Sequence, residues 1–361
     1  MSVRSLIMMM VAVLGAAEIV GCAGERPMLL DDASAVDAGT GMATTTETTK
    51  PAPFEIDEPV IAPGEVLAAD DNPLVDMGSG NGSESGIFPT RGGVKAVVTA
   101  TGVVVPVLGQ TESGYVVESP CGVETEITWG QPLPSVRVVL DPGHGGSERG
   151  AVADPGLTEA ELNLRVARRT ALALQDREMS VALTRTGDYR VPVLQRARLA
   201  DALEADALIS IHHNTPRAAP STRPGTEVYV QGTSAESQRL GGVVYEEVLA
   251  ALSQFDVDWV SRRDAGVVTV IDDNGQDAFG INRHPETVTA LVELAYLANP
   301  AEAALFETEE YLDAVATAMA DGIERYLTTQ DQGSGYVDIP RIFNPSDETG
   351  GVEGCLAPAL E

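Results

Sequence analysis

The chain has 361 residues, a formal net charge of −31 and a pI near 4.3. So acidic a chain repels polyanions, which excludes nucleic acid as its main partner. The length would admit two domains, but the composition is uneven, and one compact domain of about 200 residues is the better count.

Residues 1–22 read as a lipoprotein-type signal peptide. One arginine, Arg4, precedes an apolar run from Leu6 to Val20 that is too short for a comfortable membrane span. The run closes on Ile19-Val20-Gly21-Cys22, which resembles a bacterial lipobox, where the cysteine is lipidated after cleavage and becomes the new N-terminus. The alternative is an ordinary secretory signal with a chance cysteine; on either reading the mature chain is exported. With Cys22 taken by lipid, Cys121 and Cys355 remain as an even pair in an oxidising compartment, and a disulfide between them is expected. No CxxC spacing makes them a metal site.

Residues 23–90 form an acidic linker of Thr, Asp, Glu, Pro, Ala and Gly. Up to Ser85 it carries thirteen acidic residues against two basic ones. Such a segment buries too little apolar surface to offset its ordering entropy, so a disordered tether is expected. Residues 91–132 hold short β-rich runs (VKAVVTATG, VVVPVLG, GYVVESP, ETEITWG) separated by Gly and Pro turns, which reads as a small all-β module of four strands. A packing appendage and an SH3-like binding module fit it equally. Its two aromatics, Tyr115 and Trp129, are thin material for a stacking platform.

From 135 to 330 strands alternate with helices. Strands are expected at Val136–Leu140, Ser180–Thr184, Ala207–Ile211, Glu227–Gln231, Val267–Ile271 and Thr289–Leu294. Helices are expected at Glu159–Arg177, Pro192–Glu204, Ala235–Gln254 and Glu309–Tyr326, the first announced by a capping box with Thr158 as N-cap and Glu161 at N3. This alternation implies an α/β fold, a mostly parallel twisted sheet with helices on both faces, with ligands bound beyond the carboxyl ends of the strands. Residues 331–361 read as a C-terminal tail that a bridge from Cys355 would pin onto the β module.

The polar residues at those strand ends form a set. His144 follows the first strand in VRVVLDPGHGG, where Gly143, Gly145 and Gly146 keep Cβ atoms away from whatever the imidazole holds. His212 follows ALISI, and Glu293 lies at the end of TALVEL. Glu159, in the first turn of the helix after His144, swings back over the same edge on a Gly-rich loop. Two imidazoles and one carboxylate are a His₂Glu set with one position open, the donor set of catalytic zinc. A second glutamate then has a clear part to play, because zinc activates water and the carboxylate takes a proton and returns it to a leaving amine. Hydrolysis of an amide fits this equipment.

The strings VVLDPGHGG, GLTEAELNL, LTRTGD, SIHHN and LVELAYLAN, in that order and over about Val136 to Leu327, resemble the zinc-dependent N-acetylmuramoyl-L-alanine amidases of the amidase-3 family. These enzymes cleave the bond between the lactyl group of muramic acid and the first alanine of the stem peptide. The resemblance implies one zinc ion held by His144, Glu159 and His212, with Glu293 as the catalytic glutamate and peptidoglycan as the partner. Arg196 in LQRARLAD occupies the family's arginine position, and the usual Ala-Asn that follows is Ala200-Asp201, a departure read as changing a structural hydrogen bond.

His213 is sent to the opposite face by strand alternation. Glu161 competes with Glu159 but is engaged locally in the cap. His284 in INRHPE lines the substrate groove or lies free on the surface, Asn299 supports the turn after Glu293 or touches substrate, and Asp141 stabilises its own turn or buttresses His144. The stretch from Asp256 to Arg283 shows no amphipathic pattern like the inhibitory helix that some family members insert over the zinc. The alternatives are a zinc peptidase acting on stem peptides and a wall-binding protein with a dead site. The expected location is the cell envelope, on the outer side of the cytoplasmic membrane, through a lipid anchor on Cys22; no protein activator is assigned.

Overall fold

In the computed structural model, residues 93–215, 218–345 and 350–361 are described. The signal-peptide and linker readings, residues 1–90 with Cys22, lie outside the described residues.

The β-rich runs fold as an antiparallel sheet of β1 (Ala96–Val98), β2 (Val104–Gln110), β3 (Tyr115–Glu118), β4 (Glu124–Ile127) and β5 (Gln131–Leu133), in the order β4-β3-β2-β1-β5. This is one strand more than the runs imply. The fifth, Gln-Pro-Leu, carries no β signature, and its proline is tolerated because the strand lies at an edge. One side of the sheet buries Val97, Val103, Val105, Tyr115, Val117 and Ile127. From the other side Ala96, Val98, Val104 and Leu133 enter a core shared with the larger sheet, so the module has no separate interior on that face.

The rest of the chain runs β6 (Val138–Pro142), α1 (Glu159–Gln175), β7 (Val181–Leu183), α2 (Val193–Ala202), β8 (Ala207–Asn214), β9 (Ala219–Ser221), β10 (Glu227–Val230), α3 (Ala235–Leu252), β11 (Trp259–Ser261), β12 (Val267–Ile271), α4 (Gly280–Arg283), β13 (Thr289–Tyr296), α5 (Pro300–Phe306), α6 (Glu309–Thr328) and β14 (Arg341–Ile342). Seven strands form one sheet in the order β14-β12-β10-β13-β8-β6-β7, in which every neighbouring pair is parallel except β10 with β13. Alternation along the strands sorts the side chains into two layers. Leu140, Ile209, Ile211, Val228 and Val292 face α1, α3 and α6, whereas Val139, Leu208, Tyr229, Val268 and Leu291 face α2, α4 and the β module. The sheet is therefore covered by helices on both faces. Thr158 caps α1 by accepting the Glu161 amide at 3.2 Å, a contact that contributes about 1 kcal/mol.

The segment 331–361 is more than a tail pinned at one point, and this corrects the sequence reading. Its residues 341–342 add β14 in parallel to the edge strand β12, and Val337 donates to the Val267 carbonyl at 2.9 Å. A two-residue strand has no period to read, yet the open edge of β12 needs backbone partners. Beyond it, Cys355 is bonded to Cys121, with Cα atoms 5.7 Å apart across 234 residues of sequence. Leu360 enters the β-module core, and Glu361 accepts the Thr128 hydroxyl at 2.8 Å.

Candidate active site

Strand β6 ends in Asp141-Pro142, and the chain then turns sharply through His144. His144 takes φ = 61°, the left-handed region that a non-glycine residue adopts only when its surroundings enforce it. The enforcement is visible. Arg196, on α2, donates from Nη1 to the Pro142 carbonyl and from Nη2 to the His144 carbonyl, each at 2.8 Å. Arg185, just past β7, donates from Nε to Pro142 at 2.9 Å and from Nη2 to Gly143 at 3.0 Å, and Asn163 Nδ2 on α1 reaches the Gly143 carbonyl at 3.3 Å. Three successive carbonyls are thus fixed by three buried side chains.

Asp141 completes the frame. It pairs with Arg196 Nη1 at 2.6 Å and accepts the hydroxyls of Ser210 and Thr184. Burial alone would raise its carboxyl, but Arg196 and the two hydroxyls hold it below the usual carboxylate range. Burial, with repulsion from Arg196, pushes the Arg185 guanidinium down to about 9, still protonated at neutral pH.

Around the His144 loop, three ligand-type side chains converge. His144 Nε2 lies 3.2 Å and His212 Nδ1 2.9 Å from the same Glu159 oxygen, Oε1. The ligand atoms of His144, Glu159 and His212 lie within 4.8 Å of one another. The backbone amide of Ala151 donates to Glu159 Oε2 at 2.9 Å and that of His213 to Oε1 at 3.3 Å, which fixes the carboxylate.

The surrounding backbone fits a metal ion at this point. A Cβ on Gly143 would come within 2.1 Å of the His212 ring, and one on Gly150 within 2.5 Å of Glu159 Oε2, so glycine is required at both approaches. Burial raises the Glu159 carboxyl, but its bonds to His144 and His212 bring it well below the ordinary range. Burial lowers His212, only partly offset by Glu159, and leaves its imidazole neutral. A carboxylate and neutral imidazoles are the protonation states that ligate divalent metal.

Glu293 stands beside this cluster on β13, ladder partner of His212 on β8 and of Glu227 on β10. Its Oε2 is buried without a hydrogen-bond partner in the protein. Burial, then the charges of Glu159 and Glu227, push its carboxyl well above the usual range, toward the proton affinity that a general base needs.

The other sequence candidates serve elsewhere. His213 points to the far side of β8, fully buried, with Nδ1 at 2.8 Å from Asn163 Oδ1 and Nε2 at 2.7 Å from the Tyr311 hydroxyl. Burial pushes its pKa down to about 3, so it is a neutral structural residue. His284 follows α4 as an exposed residue outside the cluster. Asn299 caps α5 through the Ala301 amide at 3.1 Å and donates to Asp258 and Glu302 at 2.8 and 2.9 Å, so it serves the turn. Asp201 accepts the Thr287 amide at 3.0 Å and its hydroxyl at 2.8 Å, a structural bond.

Residues 138–325 match the family model described as N-acetylmuramoyl-L-alanine amidase, amidase-3. The chain belongs to this amidase family. A germination-specific N-acetylmuramoyl-L-alanine amidase of Bacillus subtilis is 30% identical over 218 residues, 55% of this chain and 83% of that protein. The amidase AmiC of Neisseria meningitidis is 30% identical over 221 residues, 53% of each chain. A crystal structure of an N-acetylmuramoyl-L-alanine amidase from Clostridium difficile 630 is 26% identical, with a TM-score of 0.47, covering 55% of this chain and 100% of that one. The β module and β14 lie outside the residues that match the amidase family.

Sequence reasoning gave no role to four residues of the amidase domain and its surroundings, namely Arg185, Asn163, Glu227 and Arg341. Arg185 stands inside LTRTGD and Asn163 inside GLTEAELNL, so a polar residue in an otherwise apolar motif was the available signal. Glu227 and Arg341 lie 114 residues apart, and nothing local connects them.

Proposed function

We propose that the protein is a zinc-dependent N-acetylmuramoyl-L-alanine amidase that hydrolyses the amide between the lactyl group of muramic acid and L-alanine in peptidoglycan. The observation that carries this reading is the convergence of His144, Glu159 and His212, with Glu293 as the ladder partner of His212. The three converging residues would hold one zinc ion, which when bound supplies Lewis acidity and lowers the pKa of water toward neutrality. Glu293 takes the proton of the attacking water as its oxygen adds to the carbonyl carbon, and returns that proton to the alanine nitrogen as the C–N bond breaks. Arg196 and Arg185 hold the carbonyls of residues 142–144, so the imidazole of His144 keeps its aim through the cycle.

Purified protein with its zinc quantified, incubated with sacculi, tests the reading by mass analysis of the products. Free lactyl groups with intact stems are expected. Shortened stems would make it a zinc peptidase, and unchanged sacculi a wall-binding protein with a dead site.

In the same reading the protein works in the cell envelope, anchored by a lipid on Cys22, with residues 23–90 as the tether. Cys22→Ser is expected to move it from the membrane fraction to the soluble one with hydrolysis intact, because the acylated terminus supplies the affinity. A mutant that stays with the membrane overturns the anchor.

A further inference from the structure

We propose that Arg341, on the C-terminal strand and outside the residues that match the amidase family, is a positioning residue of the active site, acting through the buried carboxylate of Glu227. This rests on the amidase reading above.

Glu227 is fully buried, and both of its oxygens are taken. Arg341 Nη2 donates to Oε1 at 2.6 Å, while the Tyr229 hydroxyl and Asn214 Nδ2 donate to Oε2 at 2.8 and 3.0 Å. Arg262 approaches only to 3.8 Å with its side chain 38% exposed, so Arg341 is the cation in contact. Arg341 is itself held by Asp264, whose Oδ2 accepts from Nε at 3.1 Å, and by the pairing of β14 with β12.

The place of this pair gives it a function. Glu227 is the antiparallel ladder partner of Glu293, so the two side chains share a face and stand a strand spacing apart. Asn214, which Glu227 holds, lies two residues beyond His212 at the end of β8. With Arg341 in place, both Glu227 oxygens are occupied by donors, and Glu293 Oε2 has no hydrogen-bond partner in the protein. Without the guanidinium, the fully buried carboxylate keeps only the more distant and partly exposed Arg262 as a cation, a condition proteins relieve by moving the side chain or recruiting a closer partner. Its ladder partner Glu293 stands beside it, so a shift of the Glu227 side chain disturbs the surroundings of the reacting carboxylate.

Arg341→Met, Arg341→Lys and the double variant Glu227→Gln/Arg341→Met are compared with wild type for zinc content, thermal midpoint, and kcat and KM on a muramoyl-peptide, below all midpoints. Arg341→Met is expected to lose at least about tenfold in kcat with KM within about twofold and zinc unchanged, since no ligand touches Arg341. The double variant is expected to regain most of the loss, because glutamine keeps an oxygen for Asn214 and Tyr229 and needs no cation; lysine should fall between. A purely structural role would move the thermal midpoint and leave kcat, measured below the midpoints, unchanged. Wild-type kcat in Arg341→Met, or a double variant as impaired as the single one, overturns the inference. Should Arg341→Met not fold, Arg341→Lys against the double variant decides by the same order of kcat. Wild-type protein that binds zinc but releases no lactyl groups overturns the amidase reading instead, and this role of Arg341 falls with it.

Discussion

The large sheet is two half-sheets running in opposite directions, and they differ in how they serve the site. In the half formed by β7, β6, β8 and β13, the carboxyl ends of the strands reach the active edge and carry His144, His212 and Glu293. In the half formed by β10, β12 and β14, reversed at the β10/β13 pair, the same edge receives the start of β10 and with it Glu227. The first half holds His144, His212 and Glu293, to which the proposed mechanism gives the metal and the substrate, each inside a short motif. The second supplies charge compensation across 114 residues of sequence, through side chains that belong to no motif. Chemistry is local to strand ends, whereas the electrostatic setting of that chemistry is assembled at long range.

Substitutions can break or sharpen this contrast. The largest effects are expected in the first half, where His144→Ala and His212→Ala should lose both bound zinc and hydrolysis, because two remaining protein ligands hold the ion poorly. Zinc retained in either variant would remove that residue from the ligand set. Next, Glu293→Gln should keep zinc and fold while kcat falls roughly 10²- to 10⁴-fold, since glutamine keeps the size but accepts no proton. Loss of zinc from this variant would move Glu293 into the ligand set.

A stability effect without a chemical one is expected one residue along from His212. His213→Ala should keep zinc and lose on the order of 2–4 kcal/mol, because Asn163 and Tyr311 are left unsatisfied beside a cavity next to Phe306. The pH dependence has a definite sign. His213 has a folded pKa of about 3 against an ordinary 6.5, so the unfolded chain binds the extra proton between those values. Its contribution is complete above pH 6.5 and is lost as pH falls from 6.5 toward 3; in His213→Gln, unfolding free energy should fall less over this window. An unchanged pH slope in denaturant titrations would contradict a neutral buried imidazole. The smallest effect belongs to Asp201→Asn, which keeps an acceptor for Thr287 and should shift stability by less than about 1 kcal/mol. A larger loss, read from the thermal midpoint, would mean that the carboxylate charge matters at that turn.

Much of the fold and the convergence of His144, Glu159 and His212 was legible because it rests on local chemistry. Apolar runs of strand length, a Thr158 cap and glycine-flanked histidines each report their own surroundings within a few residues. Strand alternation was enough to separate His212 from His213, which the structure places on opposite faces of β8, one in the metal cluster and one against Tyr311. The left-handed backbone of His144 left no such trace, since it is imposed by Arg185 and Arg196, residues from other elements.

By itself, then, the sequence determined the long strands and helices, the family, and the candidates His144, Glu159, His212 and Glu293, because strand and helix periods and strand-end motifs are short-range properties. Only the tertiary structure decided that the sheet reverses between β13 and β10, that residues 341–342 close its edge, and that Glu227 meets Arg341 beside Glu293. Those outcomes follow from the need of buried backbone edges and buried charges for partners, and the chain finds such partners wherever folding brings them, at separations no local pattern records.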